Sequence, residues 1–295
     1  MHRPMLSKRA DLIQPSATMA ISSKAGAMRR AGIDVISLAA GEPDFNTPEH
    51  IQNAGIEAIQ NGRTRYTPAA GIPELREAAA RYISEHTASE YAAEEVIVTC
   101  GAKQGIYNAL RLSLDPGDQV LIPAPCWVTY PAQTTLCDGV PKIIPPNKDG
   151  SIDVAELTRQ IPGSRVVVLC NPSNPSGQVL SREELIAIGS AAKAAGALVI
   201  ADEIYSELVY GPQPYTSFLK ACPDMKDQTI VIHGMSKSFA MTGLRIGFAA
   251  APAEFSKKMS AFMSQTTSNP TSTSQWASLT GLESSRDFMN DWRKA

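Results

Sequence analysis

The sequence predicts an α/β protein, a three-layer α/β/α arrangement built on a mostly parallel sheet. Two patterns carry this expectation. From residue 94 onward, short β-branched runs alternate with helix-length stretches, the order of repeated βαβ units. Several of those runs, VVVLC at 166–170 and ALVIA at 197–201 above all, are continuously apolar, as strands of a parallel sheet buried on both faces must be.

In chain order, a helix-like stretch over Met19–Ala31 leads to a short strand candidate, Ile33–Leu38, which runs into the Gly/Pro/Asp loop AAGEPDF. Pro48 and Pro73 stand where a first helical turn tolerates proline, and they open helices expected over 49–62 and 73–86. Strands are then expected at Val96–Thr99, Gln119–Ile122, Val140–Ile144, Val166–Cys170, Ala197–Ala201, Thr229–His233 and Leu244–Ala250. Helices are expected at 103–114, 181–195 and 253–265. Ligands of such sheets lie outside the carboxyl ends of the strands. Chemistry is therefore expected in the loops TCGAKQ, APCWVTYP, CNPSNPSG, ADEIY and HGMSKS.

Composition removes several classes of partner. A formal net charge of −2 offers no field to nucleic acid or an anionic membrane. No stretch approaches the roughly 18 apolar residues of a membrane span, and the N-terminus lacks the apolar core of a secretory signal. The five cysteines form no C-x-x-C pair, and a chain of 295 residues needs no disulfide staples, so they read as reduced thiols of a cytoplasmic protein. The four histidines show no metal-ligand spacing, and no metal is expected.

Four features at the strand ends bear on chemistry. Gly101, Ala102 and Lys103 lead from a strand directly into a helix, where small residues and the helix dipole favour an anion. Asp202 closes the strand ALVIA, with Tyr205 three residues on, so a helical turn would put both side chains on one side. Lys237 follows the strand TIVIH, in a place where desolvation would lower its pKa and make it a nucleophile towards aldehydes. Arg245 lies eight residues later, where a guanidinium can hold a phosphate. Each of these has an ordinary explanation, a turn glycine or a solvated lysine. Together they make a list that one cofactor needs: an amine, an acid, a ring-oxygen donor and a cationic cup rich in N–H groups.

The ordered stretches SLAAGEPDFNTP, RYTPAAGIPELREA, GAKQGIYNAL, DPGDQVLIPAPCWVTYP, NPSNPSG, ADEIYSELVY and SKSFAMTGLRIG resemble the class I/II aminotransferases of fold type I, in particular the bacterial aspartate aminotransferases. The resemblance runs from about residue 11 to the end of the chain. It implies pyridoxal 5'-phosphate as cofactor, held by Lys237 as a Schiff base, and a ping-pong transfer of an amino group between an amino acid and a 2-oxo acid. Asp202 resembles the partner of the ring nitrogen. Tyr205 and Asn174 resemble donors to the ring hydroxyl, and Asn174 also reaches the substrate carboxylate. Trp127 resembles the aromatic stacked on the ring. Gly101, Ala102, Lys103, Ser236 and Arg245 match the phosphate cup, with Trp127, Ser236 and the Lys103 side chain also open to purely structural readings. Gly41 resembles the glycine lying against substrate. Tyr66 resembles the tyrosine that crosses to the neighbouring site of a homodimer.

The resemblance further implies three parts. Residues 1–48 form an N-terminal arm and part of a small domain, residues 49–280 the large cofactor-binding domain, and residues 281–295 the start of a linker helix. The family's carboxylate-clamping arginine belongs to a C-terminal small domain. Arg286 and Arg293 do not match it, so none is assigned in this sequence, which ends in DFMNDWRKA. Cys126, His233 and Leu244 stand where relatives often carry Tyr, Asn and Trp, departures that bear on the substrate. Two other activities compete with transamination: a β-lyase or synthase reaction on the same fold, and cofactor binding with little turnover. The short, weakly basic N-terminus disfavours a DNA-binding regulator. A nicotinamide or P-loop enzyme is disfavoured because neither glycine motif is present.

Overall fold

The apolar runs assemble into one seven-stranded sheet. The computed structural model describes residues 5–6, 8–12, 15, 17–38, 41–210 and 213–294. Its strands are β1 (Val96–Thr99), β2 (Gln119–Pro123), β3 (Val140–Ile144), β4 (Val166–Cys170), β5 (Leu198–Asp202), β6 (Thr229–Gly234) and β7 (Gly247–Ala250). They lie in the order β1-β7-β6-β5-β4-β2-β3. Strands β2 to β6 pair in parallel, while β7 runs antiparallel to both β6 and β1. The sheet is mostly parallel, as expected, with one reversed strand. The reversal matters because it brings the start of β7 to the edge where β1, β4, β5 and β6 end.

Alternation along the strands divides the core into two faces. Val167, Leu169, Val199, Ala201 and Val231 point to one side. There they meet α2 (Glu49–Gln60), α3 (Pro73–Thr87), α6 (Val154–Gln160), α7 (Arg182–Ala195), α8 (Phe218–Ala221) and α10 (Ser272–Glu283). Val168, Cys170, Ile200 and Ile232 point the other way, onto α4 (Ala102–Ser113), α5 (Thr129–Leu136) and α9 (Ala253–Ser264). Both sides are closed, which is why these strands read as unbroken apolar runs. Each such buried Val, Leu or Ile contributes about 1.5–3 kcal/mol of transfer free energy.

Local signals set the helix ends. Pro73 occupies the first turn of α3. The α7 helix opens with a reciprocal Ser181–Glu184 capping box and closes at Gly196, whose φ of 66° suits a residue without Cβ. The N-terminal helix α1 spans Ala17–Arg30, in place of the expected Met19–Ala31.

Three expectations are corrected. Ile33–Leu38 is not a strand: it joins no strand among the described residues, and Ile36 and Leu38 are exposed. Ala39 and Ala40 of the loop that follows lie outside the described residues. The last strand starts at Gly247, not Leu244, because Thr242–Leu244 forms a 3-10 turn and Arg245 takes a left-handed conformation with φ 57°. The closing helix is split: α10 ends at Glu283 and α11 (Phe288–Lys294) begins after a break, where the Asp287 amide donates to the Ser285 hydroxyl at 3.2 Å. The short helices α5, α6 and α8 were not anticipated.

Candidate active site

Asp202 ends β5 and points to the face of α4 and α5, in step with Ile200. Its side chain is buried. Oδ2 accepts a hydrogen bond from the Tyr130 hydroxyl at 2.7 Å, and Oδ1 accepts one from the Ile204 amide at 3.3 Å. Burial pushes the carboxyl up to about 6, against the downward pull of Tyr130, Ile204 and Lys237. Among the described residues no Lys, Arg or His stands within ion-pair distance of it.

Tyr130 was missed in the sequence. It sits one helical turn after Trp127, its amide donating to the Trp127 carbonyl at 3.1 Å and its ring standing perpendicular to the indole at 5.5 Å. The W-x-x-Y spacing was the available signal. It places an aromatic face and a carboxylate-holding phenol on the same turn.

The turn after Asp202 carries Tyr205. Its hydroxyl accepts from Asn174 Nδ2 at 3.0 Å, and burial pushes its pKa upward. The ring lies beneath Lys237, whose Nζ is 5.7 Å from the ring centroid and donates to the Gly41 carbonyl at 2.6 Å. Burial lowers the Lys237 pKa; Glu42 and Asp202 oppose that shift and Arg245 adds to it. A half-buried lysine with a depressed pKa carries more neutral amine at neutral pH, the form that attacks carbonyl carbon. Ser236, one residue earlier, is buried.

The third wall is a cationic cup. Gly101 leaves β1 with φ 76° and caps α4, whose first turn holds neither an acidic residue nor a side-chain cap. The opening amides and the dipole of α4 are thus available to an anion. Arg245 closes the cup, with Nη1 donating to the Thr242 carbonyl at 2.8 Å and Nη2 to the Cys100 carbonyl at 3.4 Å. A Cβ on Gly101 would come within 2.5 Å of Arg245 Nη2, and one on Gly247 would overlap the Gly101–Ala102 backbone, so both positions need glycine for close approach. The Lys103 side chain lies 4.7 Å above the Trp127 ring, and burial and Arg245 lower its pKa. The two cations feel each other's charge, a repulsion that an anion between them would relieve.

The structure therefore brings Gly41, Gly101, Ala102, Lys103, Trp127, Asn174, Asp202, Tyr205, Ser236, Lys237 and Arg245 to one sheet edge. Tyr66 stands apart, 90% exposed on the loop between α2 and α3. No cluster of metal-ligating side chains occurs among the described residues. The arrangement can hold an anion-bearing aromatic ring between Trp127 and the sheet edge, with an amine at one end and a buried acid beside it.

The chain is similar to known aminotransferases. The family model for aminotransferase class I and II matches residues 33–295. The aspartate aminotransferase of Geobacillus stearothermophilus is 42% identical over 98% of this chain and 75% of its own length. A probable aspartate/prephenate aminotransferase of Aquifex aeolicus is 39% identical over 99% of this chain and 76% of its own. Among solved structures, the aspartate aminotransferase of Thermus thermophilus with maleate superposes with a TM-score of 0.94 at 38% identity, covering 99% of this chain and 77% of that one.

Proposed function

Because the chain belongs to the aminotransferase class I and II family, we propose that it is an aspartate aminotransferase that uses pyridoxal 5'-phosphate held at Lys237. What carries this reading is Asp202: a buried carboxylate with a raised pKa and, among the described residues, no cation within ion-pair distance of it. A protonated pyridine nitrogen is the group that would neutralise it. The other walls fit the same molecule. The amides of α4, Arg245, Ser236 and Lys103 suit its phosphate, Trp127 its ring face, and Tyr205 with Asn174 its ring oxygen. The relatives' names supply aspartate as the amino donor.

When bound, this cofactor supplies an aldehyde for the amine and a ring that stores the electron pair freed at the substrate's alpha carbon. The chain's own residues do the rest. Lys237 Nζ holds the cofactor and moves the proton of that carbon, a contribution of about 10²–10⁴ in rate. Asp202 keeps the ring nitrogen protonated. Asn174 and the Gly41 backbone orient the amino acid, and the 2-oxo acid that follows it. The same reading divides the chain into an arm with part of a small domain (1–48), the large domain (49–280) and a linker (281–295). It makes Tyr66 a hydroxyl offered to the second copy of a homodimer. None of the described cysteines forms a disulfide, and no helix among the described residues is long and apolar enough to cross a membrane; the setting we propose is cytoplasmic.

The test is direct. The chain loaded with pyridoxal phosphate should show a visible absorption band that aspartate converts and 2-oxoglutarate restores, with oxaloacetate and glutamate as products. With an amino acid that carries a leaving group on its beta carbon, release of ammonia and pyruvate together with that group would replace transfer with elimination.

A further inference from the structure

On the opposite face of the sheet, directly behind this pocket, polar side chains gather within the core. His233 follows Val231 on that face of β6 and is wholly buried. Its Nδ1 accepts from the Gly234 amide at 2.9 Å, so its Nε2 carries the proton, which it donates to the Ser206 hydroxyl at 2.9 Å. Burial drives its pKa down to about 3, and the charge of His86 adds to that. The strand that leads to Lys237 is thereby bonded to the turn that carries Tyr205.

His86, in the last turn of α3, lies 5.4 Å from His233, ring to ring. Its Nδ1 meets the Tyr82 carbonyl at 2.8 Å and its Nε2 meets the Glu207 carboxylate at 2.8 Å. Both partners only accept hydrogen bonds, so both ring nitrogens carry protons and the side chain is an imidazolium. Glu207 sits at the far end of the turn that begins at Asp202. It also faces Arg286 at 3.6 Å and Arg293 at 3.8 Å. The turn has few backbone bonds of its own, Ser206 N to Glu203 O and Leu208 N to Tyr205 O.

We propose that Glu207, gripped by the His86 imidazolium, is a positioning residue for the pocket: it fixes from behind the sheet the turn that presents Asp202 and Tyr205. This rests on the cofactor reading above, since the acid and the phenol are what it positions. The pair makes the site's geometry depend on a proton that touches neither cofactor nor substrate. Burial pulls the His86 pKa down, but the Glu207 bond and the Tyr82 carbonyl outweigh it and raise it above the ordinary value. The grip is therefore complete below the ordinary histidine pKa and is lost as pH rises through the raised one.

Other charged and titratable groups surround His86 on the neighbouring elements, among them the buried Tyr82 ring at 4.2 Å. Arg286 bonds Glu85 and lies over the Tyr82 ring, and Glu203 accepts from Ser217 and the Phe218 amide. Tyr215, Lys220 and Asp287 line the cleft outside. When His86 deprotonates, Arg286 and Arg293 keep Glu207 ionised, so the turn loosens without losing its charge.

The test compares wild type, Glu207→Gln, His86→Gln and the double variant of the whole chain loaded with pyridoxal phosphate. It reads cofactor affinity by equilibrium dialysis, the pH midpoint of the visible band, and Tm. Each single variant should weaken cofactor binding on the order of tenfold, the scale of one charge-assisted hydrogen bond, and should move the midpoint. The double variant should be no worse than the poorer single, because both remove the same contact. Lower Tm with unchanged affinity and midpoint would mark a purely structural pair and overturn the proposal. An NMR titration of wild-type His86 needs no variant, and a midpoint at or below about 6.5 also overturns it. Absence of any Lys237-dependent band in wild type brings down the cofactor reading as well. A Lys237-dependent band indifferent to Glu207 and His86 sinks this proposal alone.

Discussion

Tyr130 donates its hydroxyl proton to Asp202 Oδ2 across 2.7 Å, and both side chains are buried. That bond is the largest of the effects pulling the Asp202 carboxyl back down against burial. Tyr130→Phe should raise the Asp202 pKa further, cost about 1–3 kcal/mol of stability and weaken pyridoxal phosphate binding. Denaturant titration and equilibrium dialysis check this; unchanged cofactor affinity would remove Tyr130 from the site.

In the cofactor-free chain Asp202 should contribute a loss of stability as pH rises from about 4 to 6, opposed over the same range by buried His233, whose depressed pKa leaves the unfolded chain the better proton binder there. Asp202 has a folded pKa of about 6, and an unfolded aspartate titrates near 4, so between those values the folded chain holds the proton that the unfolded chain has lost. Stability falls with rising pH where the folded state binds more protons, here by on the order of 3 kcal/mol. Asp202→Asn should remove that contribution, so that stability climbs more steeply with pH over this range, and should stabilise the free chain at neutral pH and abolish tight cofactor binding. Urea unfolding at a series of pH values reads the first two.

Lys237→Ala should lose the visible band and lower turnover by at least about 10³, since it removes both the covalent anchor and the proton carrier. Lys237→Arg should fail equally, because a guanidinium keeps the charge without a neutral amine at any accessible pH. Single-turnover absorbance with aspartate is the measurement.

Gly101→Ala should cost roughly 1–3 kcal/mol, because φ of 76° strains any residue with a Cβ and the methyl group meets the Arg245 guanidinium. Gly247→Ala should be worse, since its methyl group meets backbone that cannot step aside. Both should weaken cofactor binding, with inorganic phosphate protection against thermal unfolding as the simplest readout.

The parallel strands were legible because their two buried faces leave no polar residue in VVVLC or ALVIA. The end of β6 and the start of β7 were harder. LRIGFAA has the texture of one strand, and nothing in its apolar pattern marks Arg245 as left-handed. Ile33–Leu38 has strand composition, yet it joins no sheet, and its contacts run back to α1, where Arg29 Nε donates to the Val35 carbonyl. In the site, Lys237, Asp202 and Tyr205 stood out because their residue types match a chemistry. Tyr130 did not, since a tyrosine one turn after a tryptophan is ordinary until its partner, 72 residues further along the chain, is folded against it. The His86–Glu207 contact joins positions 121 residues apart and was invisible for the same reason.

Because β7 returns beside β6 in the opposite direction, the amine at 237 and the guanidinium at 245 ride on a single short connection. The two ends of a molecule clasped between them would be moored to that one connection, residues 235–246. A ring held this way would be left one soft coordinate, tilting about the line between those two groups. The groups that act on that tilt, the indole at 127 and the phenol at 205, come from other connections.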